Sequence, residues 1–201
     1  MRILLVIFGL LLVSGCAVLN IYPYVNVVEK SNSELLGKIP VTELSISKIT
    51  KVEIGKKYTS EFNINSQSYN FTDGLSYFAV YNISESKPLL VTVKSYPVHR
   101  KDGPGLGNEF FFYPKLSLYD KNFSFIADID TSYEYQLTLI SGNYYGGNVI
   151  IPSKYTNAVY LLVHSDRRWS GSSIRYSLPT SSGIVPMSSR VNYEGKIQLE
   201  F

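Results

Sequence analysis

The sequence contains very little cysteine, histidine and tryptophan: one cysteine, two histidines and one tryptophan in 201 residues. A single cysteine cannot form a disulfide within the chain, nor a metal site built from several cysteines. Two histidines leave few candidates for the general base of a serine hydrolase. The 19 basic and 16 acidic side chains nearly balance, which argues against a nucleic-acid-binding protein because such proteins carry a clustered basic face.

The chain also lacks an apolar run long enough to span a membrane as a helix. Its N-terminal run from Ile3 to Val13 follows a positive charge at Arg2 and is much shorter than the roughly 20 residues that a spanning helix needs. A short apolar run between a positive charge and small residues is typical of a secretory signal peptide. We therefore expect residues 1–15 to be removed from the mature protein.

The lone cysteine closes this segment, in the sequence Val13-Ser14-Gly15-Cys16. An aliphatic residue, two small residues and a cysteine resemble the bacterial lipobox. The resemblance implies that the thiol of Cys16 carries the lipid, and that Ala17, which is not aspartate, directs the protein to the outer membrane. Several acyl chains on one residue anchor a protein stably. The alternative is a buried N-terminal helix in which Cys16 is a small apolar core residue.

Residues 16–47 show no steady hydrophobic period and mix short apolar pairs with Ser, Asn, Gly and Pro. This composition predicts a tether that spaces the folded part from the membrane, with a helical turn near Ser33 to Leu36. The folded domain is then expected to cover residues 48–201.

From Ile49 onward, short apolar or alternating runs are separated by turn residues, and the chain is rich in aromatic residues, with 17 tyrosines and 10 phenylalanines. These features predict an all-β domain of nine to eleven short strands, folded as an antiparallel β-sandwich of jelly-roll type. No amphipathic helix is apparent that could connect parallel strands. The runs 75–83 and 89–98 follow one another closely and predict a β-hairpin.

His164 is followed directly by Ser165 and Asp166, three residue types that build a hydrolase triad. Neighbouring residues on a strand point to opposite faces, and triads are assembled from separate parts of a fold, so this string does not indicate one. We predict a protein that is not an enzyme. If it is a hydrolase, His164 is its best candidate for the catalytic base.

Asp128 and Asp130 could place two carboxylates on one face of a strand, as in some calcium sites. Calcium takes 6 to 8 oxygen ligands, and the rest of a calcium-binding loop is absent from this sequence. A solvated strand edge is the better interpretation. We therefore predict no metal and no cofactor.

Aromatic residues among turn residues are the remaining candidates for a binding site. The segments "NYYGG" and "RRWSG" contain Tyr144, Tyr145, Arg168 and Trp169. A ring that is not needed in the core can stack on a sugar, while arginine supplies hydrogen bonds. The alternative, which we favour, is that these rings cover the ends of the sandwich, as aromatic residues with a polar tip do well.

Several segments between residues 69 and 201 resemble the maltose operon periplasmic protein (MalM) family. They are "FTDGLSYFAVYNISESKPLLVTVKS", "FFYPKLSLYDKNF", "AVYLLVHSD" and "YEGKIQLEF". The resemblance implies a secreted, β-rich envelope protein without a catalytic motif and, from the members that give the family its name, an association with maltodextrin uptake. The strand pattern is also similar to non-catalytic β-sandwich domains appended to secreted peptidases.

Together these observations predict an outer-membrane lipoprotein that faces the periplasm and acts as a non-catalytic binding or accessory module with a link to carbohydrate uptake. Its expected partners are the membrane, through the lipid on Cys16, and either an envelope protein or a glycan; nucleic acid is not expected. The alternative is a structural subunit of an envelope complex that binds a protein through an exposed sheet edge.

Overall fold

The computed structural model describes residues 22–84, 89–99, 109–138, 142–169, 171–180 and 183–201. In this part of the chain there is one α-helix, α1 (Tyr22–Leu36), and two 3-10 helices, Leu44–Ile46 and Arg167–Trp169. The predicted signal peptide and Cys16 lie outside the described residues. No helix within those residues is long and apolar enough to cross a membrane.

Fifteen strands make up most of the described chain. They are β1 (Ile49–Lys51), β2 (Lys57–Phe62), β3 (Ser68–Phe71), β4 (Gly74–Asn82), β5 (Leu89–Tyr96), β6 (Val98–His99), β7 (Glu109–Phe112), β8 (Pro114–Tyr119), β9 (Phe125–Ile129), β10 (Glu134–Gln136), β11 (Tyr144–Ile151), β12 (Tyr160–Ser165), β13 (Ser173–Thr180), β14 (Gly183–Asn192) and β15 (Gly195–Glu200).

The strands form three sheets. Sheet A has the order β1-β4-β12-β8-β9, with β3 also paired to β4; sheet B has the order β10-β11-β5-β15-β2; and sheet C has the order β13-β14-β7-β6. Two of the described strand pairs, β1 with β4 and β14 with β7, are parallel, and the others are antiparallel. The predicted all-β, sandwich-like fold is confirmed.

The main core lies between sheets A and B. Because successive side chains of a strand point to opposite faces, alternate residues of each sheet meet there, including Leu161 and Val163 of β12 and Val91 and Val93 of β5. A β7 residue of sheet C also joins this core, with the ring of Phe112 stacked on that of Phe62 in β2 at a centroid distance of 4.3 Å.

The prediction of nine to eleven strands is too low. Strands β1, β6 and β10 have three, two and three residues, too few for a hydrophobic period to be visible. They are strands because they pair with β4, β7 and β11. The long strand β14 has a weak sequence signal, because it contains Pro186, which ordinarily argues against a strand.

The predicted hairpin between the runs 75–83 and 89–98 is wrong. The first run forms β4 in sheet A and the second forms β5 in sheet B. Both sides of each strand are already paired, β4 with β12 on one side and with β1 and β3 on the other, and β5 with β11 and β15. By changing sheets, the chain lets apolar residues of both strands face the same core.

The tether prediction requires correction over residues 22–47. Helix α1 covers 15 residues, Leu35 near its end is fully buried in the main core, and Gly37 ends it by donating its N–H to the carbonyl of Ser33 at 3.0 Å. Serine and asparagine residues weaken the helical signal of this sequence. Packing of Leu35 in the core therefore stabilises a helix that the local sequence alone does not predict.

The chain after α1, residues 38–47, lies on the outer face of sheet A and is called here the cover segment. The N–H of Val41 donates to the carbonyl of Ser68 in β3 at 2.8 Å. Val41 and the buried Leu44 belong to a second apolar cluster together with Phe71, Phe78, Val80, Tyr119 and Leu162. The cover segment thus buries part of the outer face of sheet A.

Candidate functional site

The outer face of sheet A is open beside the cover segment, and there it forms a pocket of about 390 Å³. We call it the Lys115 pocket. It is lined by Phe71, Thr72, Asp73, Lys115, Ser117, Tyr119, Phe125, Asp128, His164 and Arg168. Strands β8 and β12 form its floor, the turn between β3 and β4 forms one wall, and β9 forms the other.

Alternation along β8 supplies the floor of the Lys115 pocket. In the sequence "KLSLY", the leucines at 116 and 118 enter the main core, so Lys115, Ser117 and Tyr119 point to the outer face. The wall opposite β9 depends on a two-residue turn of Thr72 and Asp73, closed by Gly74 at a φ of 119°. Only glycine adopts that backbone conformation readily.

Lys115 joins the two walls of the pocket through ion pairs. Its Nζ lies 3.1 Å from Oδ2 of Asp73 in the turn and 2.9 Å from Oδ2 of Asp128 in β9. Burial by itself lowers the pKa of Lys115, but its hydrogen bonds and charge contacts with the two carboxylates outweigh burial and raise that pKa overall. The ammonium is therefore a permanent cation held from two sides.

His164 lies at the base of the pocket with only 1% of its surface exposed. Its ring stacks on Phe71 at a centroid distance of 4.0 Å and an interplanar angle of 8°. Burial lowers the pKa of His164 to about 4. Asp73 and Asp128 act in the opposite direction, while Lys115 adds to the lowering. The ring is consequently neutral at neutral pH.

Both ring nitrogens of His164 lie near a polar atom. Oγ of Ser117 lies 2.6 Å from Oδ1 of Asp128 and 3.0 Å from Nε2 of His164. A carboxylate only accepts, so the Ser117 hydroxyl donates to Asp128 at the shorter of its two contacts. On the other side of the ring, Nδ1 lies 3.2 Å from the carbonyl oxygen of Ser165, which can only accept.

The carboxylate of this cluster has a different position from that in a serine hydrolase. There, the nucleophile donates its proton to an unprotonated histidine nitrogen, and a carboxylate orients the opposite side of the ring. Here the carboxylate of Asp128 accepts from the serine itself, and the opposite side of the ring faces the backbone carbonyl of Ser165. Asp166, the third residue of the "HSD" string, instead accepts hydrogen bonds from Arg168.

Among the four predicted ligand-binding residues, Arg168 lines the Lys115 pocket. Its Nη2 lies 2.6 Å from Oδ2 of Asp166. Burial by itself raises the pKa of Asp166, but the hydrogen bonds from Arg168 outweigh burial and lower that pKa overall. The adjacent Trp169 is exposed and lies beside the ring of Tyr113 at a centroid distance of 5.4 Å.

The two predicted tyrosines belong to β11 of sheet B and do not line the Lys115 pocket. Tyr145 is buried and meets Phe111 edge to face at 4.6 Å, so it is a core residue and cannot be a stacking platform. Tyr144 lies near the ring of Tyr96 at 5.9 Å, with Nζ of Lys94 5.0 Å from its centroid. The four residues therefore do not form a single site.

The two aspartates considered for calcium are separated by the end of β9. Asp128 faces the Lys115 pocket, whereas Asp130 follows the strand and does not line it. Across the described part of the chain, no group of three or more His, Cys, Asp or Glu residues is placed to hold a metal ion.

Sequence reasoning missed most of this site, including Phe71, Asp73, Lys115 and Ser117. One signal was available in "KLSLY", where polar residues alternate with leucines. That pattern shows that one face of the strand is polar. It does not reveal that a turn from residues 72–73 and a ring from residue 71 partly cover that face.

No family model matches the chain, and neither the curated proteins nor the solved structures give a match. The fold and the site together define a β-sandwich protein with an open, ion-paired pocket on the outer face of one sheet. The resemblance to the MalM family stays a prediction.

Proposed function

We propose that this protein is an outer-membrane-anchored periplasmic lipoprotein whose β-sandwich acts as a non-catalytic binding module, with the Lys115 pocket as its ligand site. The proposal of an anchor rests on the lipobox that ends at Cys16. The proposal of binding rests on one observation: a pocket whose charged side chains are held in place by ion pairs with one another.

The volume of the pocket and the fixed positions of its polar side chains support a small-molecule ligand. Its volume of about 390 Å³ is within the range of roughly 300–1,000 Å³ that is usual for such sites. Lys115 is fixed by two carboxylates, and Ser117 is fixed between Asp128 and His164. Polar groups that are fixed in advance need little reorganisation on binding, which favours affinity.

The shortest contact of Ser117 favours binding over nucleophilic catalysis. A nucleophilic serine must transfer its proton to a base that has a free lone pair. The hydroxyl of Ser117 donates to Asp128 at 2.6 Å, whereas Nε2 of His164 lies farther away at 3.0 Å. Ser117 would therefore need its hydroxyl proton redirected from Asp128 to His164 before it could attack a substrate through that base.

Assembly through an edge of sheet B is the less favoured alternative. Strand β2 is the terminal strand of sheet B in the described residues, and its side chains Lys57 and Glu61 are exposed. Charged side chains on an edge strand oppose the addition of another strand. The opposite terminal strand, β10, has three residues and offers a short template.

A test of the binding function uses the mature protein extracted from membranes, labelled with ¹⁵N and screened against a small-molecule fragment set. We expect fragments to shift amide signals of pocket residues. Lys115→Met should remove these shifts because it leaves two unpaired carboxylates, whereas Lys154→Met, at an exposed lysine outside the pocket, should retain them. A pocket that responds to no fragment would contradict the proposal, as would hydrolysis of 4-nitrophenyl acetate that is lost in Ser117→Ala.

The anchor has a separate test. The intact mass of the same membrane-extracted protein should show a chain that begins at Cys16 and carries acyl groups, and Cys16→Ser should release the protein from the membrane fraction. An unmodified Cys16 would overturn the lipoprotein assignment without affecting the assignment of the pocket.

A further inference from the structure

The charges around the Lys115 pocket are already paired with one another. Lys115 binds Asp73 and Asp128, and Arg168 binds Asp166. An anionic ligand would have to break one of these ion pairs, and a cationic ligand that reached Asp128 would lie beside the like charge of Lys115; both are costly for partly buried charges. A neutral ligand avoids that cost.

Hydrogen-bonding capacity nevertheless remains at the centre of the pocket. An ammonium has three donors, and Lys115 uses two of them on Asp73 and Asp128, which leaves the third without a protein partner among the described residues. The Asp128 side chain is 42% exposed and retains free lone pairs on its carboxylate. A donor atom and an acceptor atom, 2.9 Å apart, are therefore offered side by side.

Two hydroxyl groups on adjacent ring carbons match this pair. Their oxygens have a comparable separation, and each hydroxyl can donate and accept at the same time. One hydroxyl can donate to the Asp128 carboxylate while its neighbour accepts from the Lys115 ammonium. Both bonds are assisted by a formal charge, which makes them stronger than bonds between neutral groups.

An exposed aromatic ring lies near Lys115 and Asp128, in the lining of the same pocket. Phe125 is 57% exposed and is positioned by an edge-to-face contact with Tyr119 at a centroid distance of 5.7 Å. Residues three apart in a regular strand face opposite sides, but the pairing of β8 with β9 is irregular between Leu118 and Tyr119. This irregularity lets Phe125 and Asp128 both line the pocket, and β-bulges often redirect side chains in this way near functional sites.

From this arrangement we infer that the ligand of the Lys115 pocket is a neutral, polyhydroxylated ring, a sugar or a cyclitol, held through two adjacent hydroxyl groups by Lys115 and Asp128 and stacked through its C–H face on Phe125. The inference rests on the proposed role of the pocket as a ligand site. It adds the chemical class of the ligand and the two contacts that select it.

Ligand-observed NMR on the mature protein tests the inference with myo-inositol and methyl α-D-glucopyranoside, which carry adjacent hydroxyls, and with cyclohexanol, which does not. We expect the first two to bind and cyclohexanol not to bind. Asp128→Asn and Phe125→Ala should each weaken binding about tenfold or more, because one removes a charge-assisted hydrogen bond and the other the stacking surface. Asp130→Asn, which makes the same charge change outside the pocket, should leave affinity unchanged.

The controls separate failure of the ligand class from failure of the binding function. If tetramethylammonium or inorganic phosphate shifts the pocket signals and the hydroxylated rings do not, the inferred ligand class is wrong while the pocket remains a binding site. Binding of the rings that survives both Asp128→Asn and Phe125→Ala would also overturn the inference. Phe125→Ala replaces an exposed side chain, and a urea midpoint close to that of the wild type will confirm that this variant is folded.

Discussion

Protonation of His164 should make the stability of this protein strongly dependent on pH in mildly acidic solution. The folded state lowers the pKa of His164 from the usual 6.5 to about 4 because the ring is buried against Phe71. The unfolded chain therefore takes up a proton before the folded protein does. The full contribution is present above about pH 6.5 and is lost as the pH falls towards the folded pKa.

The size of the effect follows from the two pKa values. At 1.36 kcal/mol per unit of pKa difference, a shift from 6.5 to about 4 lowers the free energy of unfolding by about 2–3 kcal/mol between pH 8 and pH 4.5. Urea unfolding measured across that range checks the value. In His164→Gln, which does not titrate, the corresponding loss should be smaller by that amount.

The other histidine of the chain provides the control, because His99→Gln should retain the pH dependence that arises from His164. NMR shifts of the imidazole of His164 should show no titration until the pH is well below 6. If His164 titrates near 6.5, or if His164→Gln loses as much stability on acidification as the wild type, then burial against Phe71 does not control the protonation of this ring.

Two further predictions concern packing, and both are checked by urea or thermal unfolding. Leu35→Ala should reduce the free energy of unfolding by about 2–5 kcal/mol, because Leu35 is fully buried. Leu36→Ala, at the neighbouring position that is 57% exposed, should change it by less than about 0.5 kcal/mol. Equal effects of the two substitutions would mean that α1 does not pack on the core. Gly195→Ala should cost about 1–3 kcal/mol, because its Cβ would lie 2.5 Å from Cβ of Phe112. Gly37→Ala, with its nearest contact at 3.5 Å, should be tolerated better, and equal tolerance at both positions would contradict the close approach.

Local sequence predicted the strands with clear hydrophobic patterns and the turns with distinctive residues. Asp120 after β8 illustrates the second case, because its carboxylate accepts from the N–H groups of Asn122 and Ser124 and so forms the turn to β9. Both partners lie within four residues, and such contacts can be inferred from the sequence. Helix α1 is the opposite case, because its burial depends on a core that is distant in sequence.

The candidate site also combines features that local sequence predicts with features that depend on distant residues. The sequence indicates that β8 has a polar face, but the groups that complete the pocket come from residues 71–73, 125–128 and 164–168. The predicted hairpin of β4 and β5 failed for a related reason, since adjacency in sequence does not decide which sheet a strand joins. That choice depends on pairing with strands that are distant in sequence, β12 for β4 and β11 and β15 for β5.

The sequence by itself therefore determined the all-β class, most of the longer strands, and the expectation of a lipid at Cys16, because each depends on residues close together in the chain. Tertiary structure alone decided that Lys115 lies between Asp73 and Asp128, and that Phe71 covers His164. The contacts of Lys115 with Asp73 and of Phe71 with His164 join segments more than 40 residues apart. The free energy that brings such segments together comes from the burial of the whole core, and no short stretch of sequence contains it.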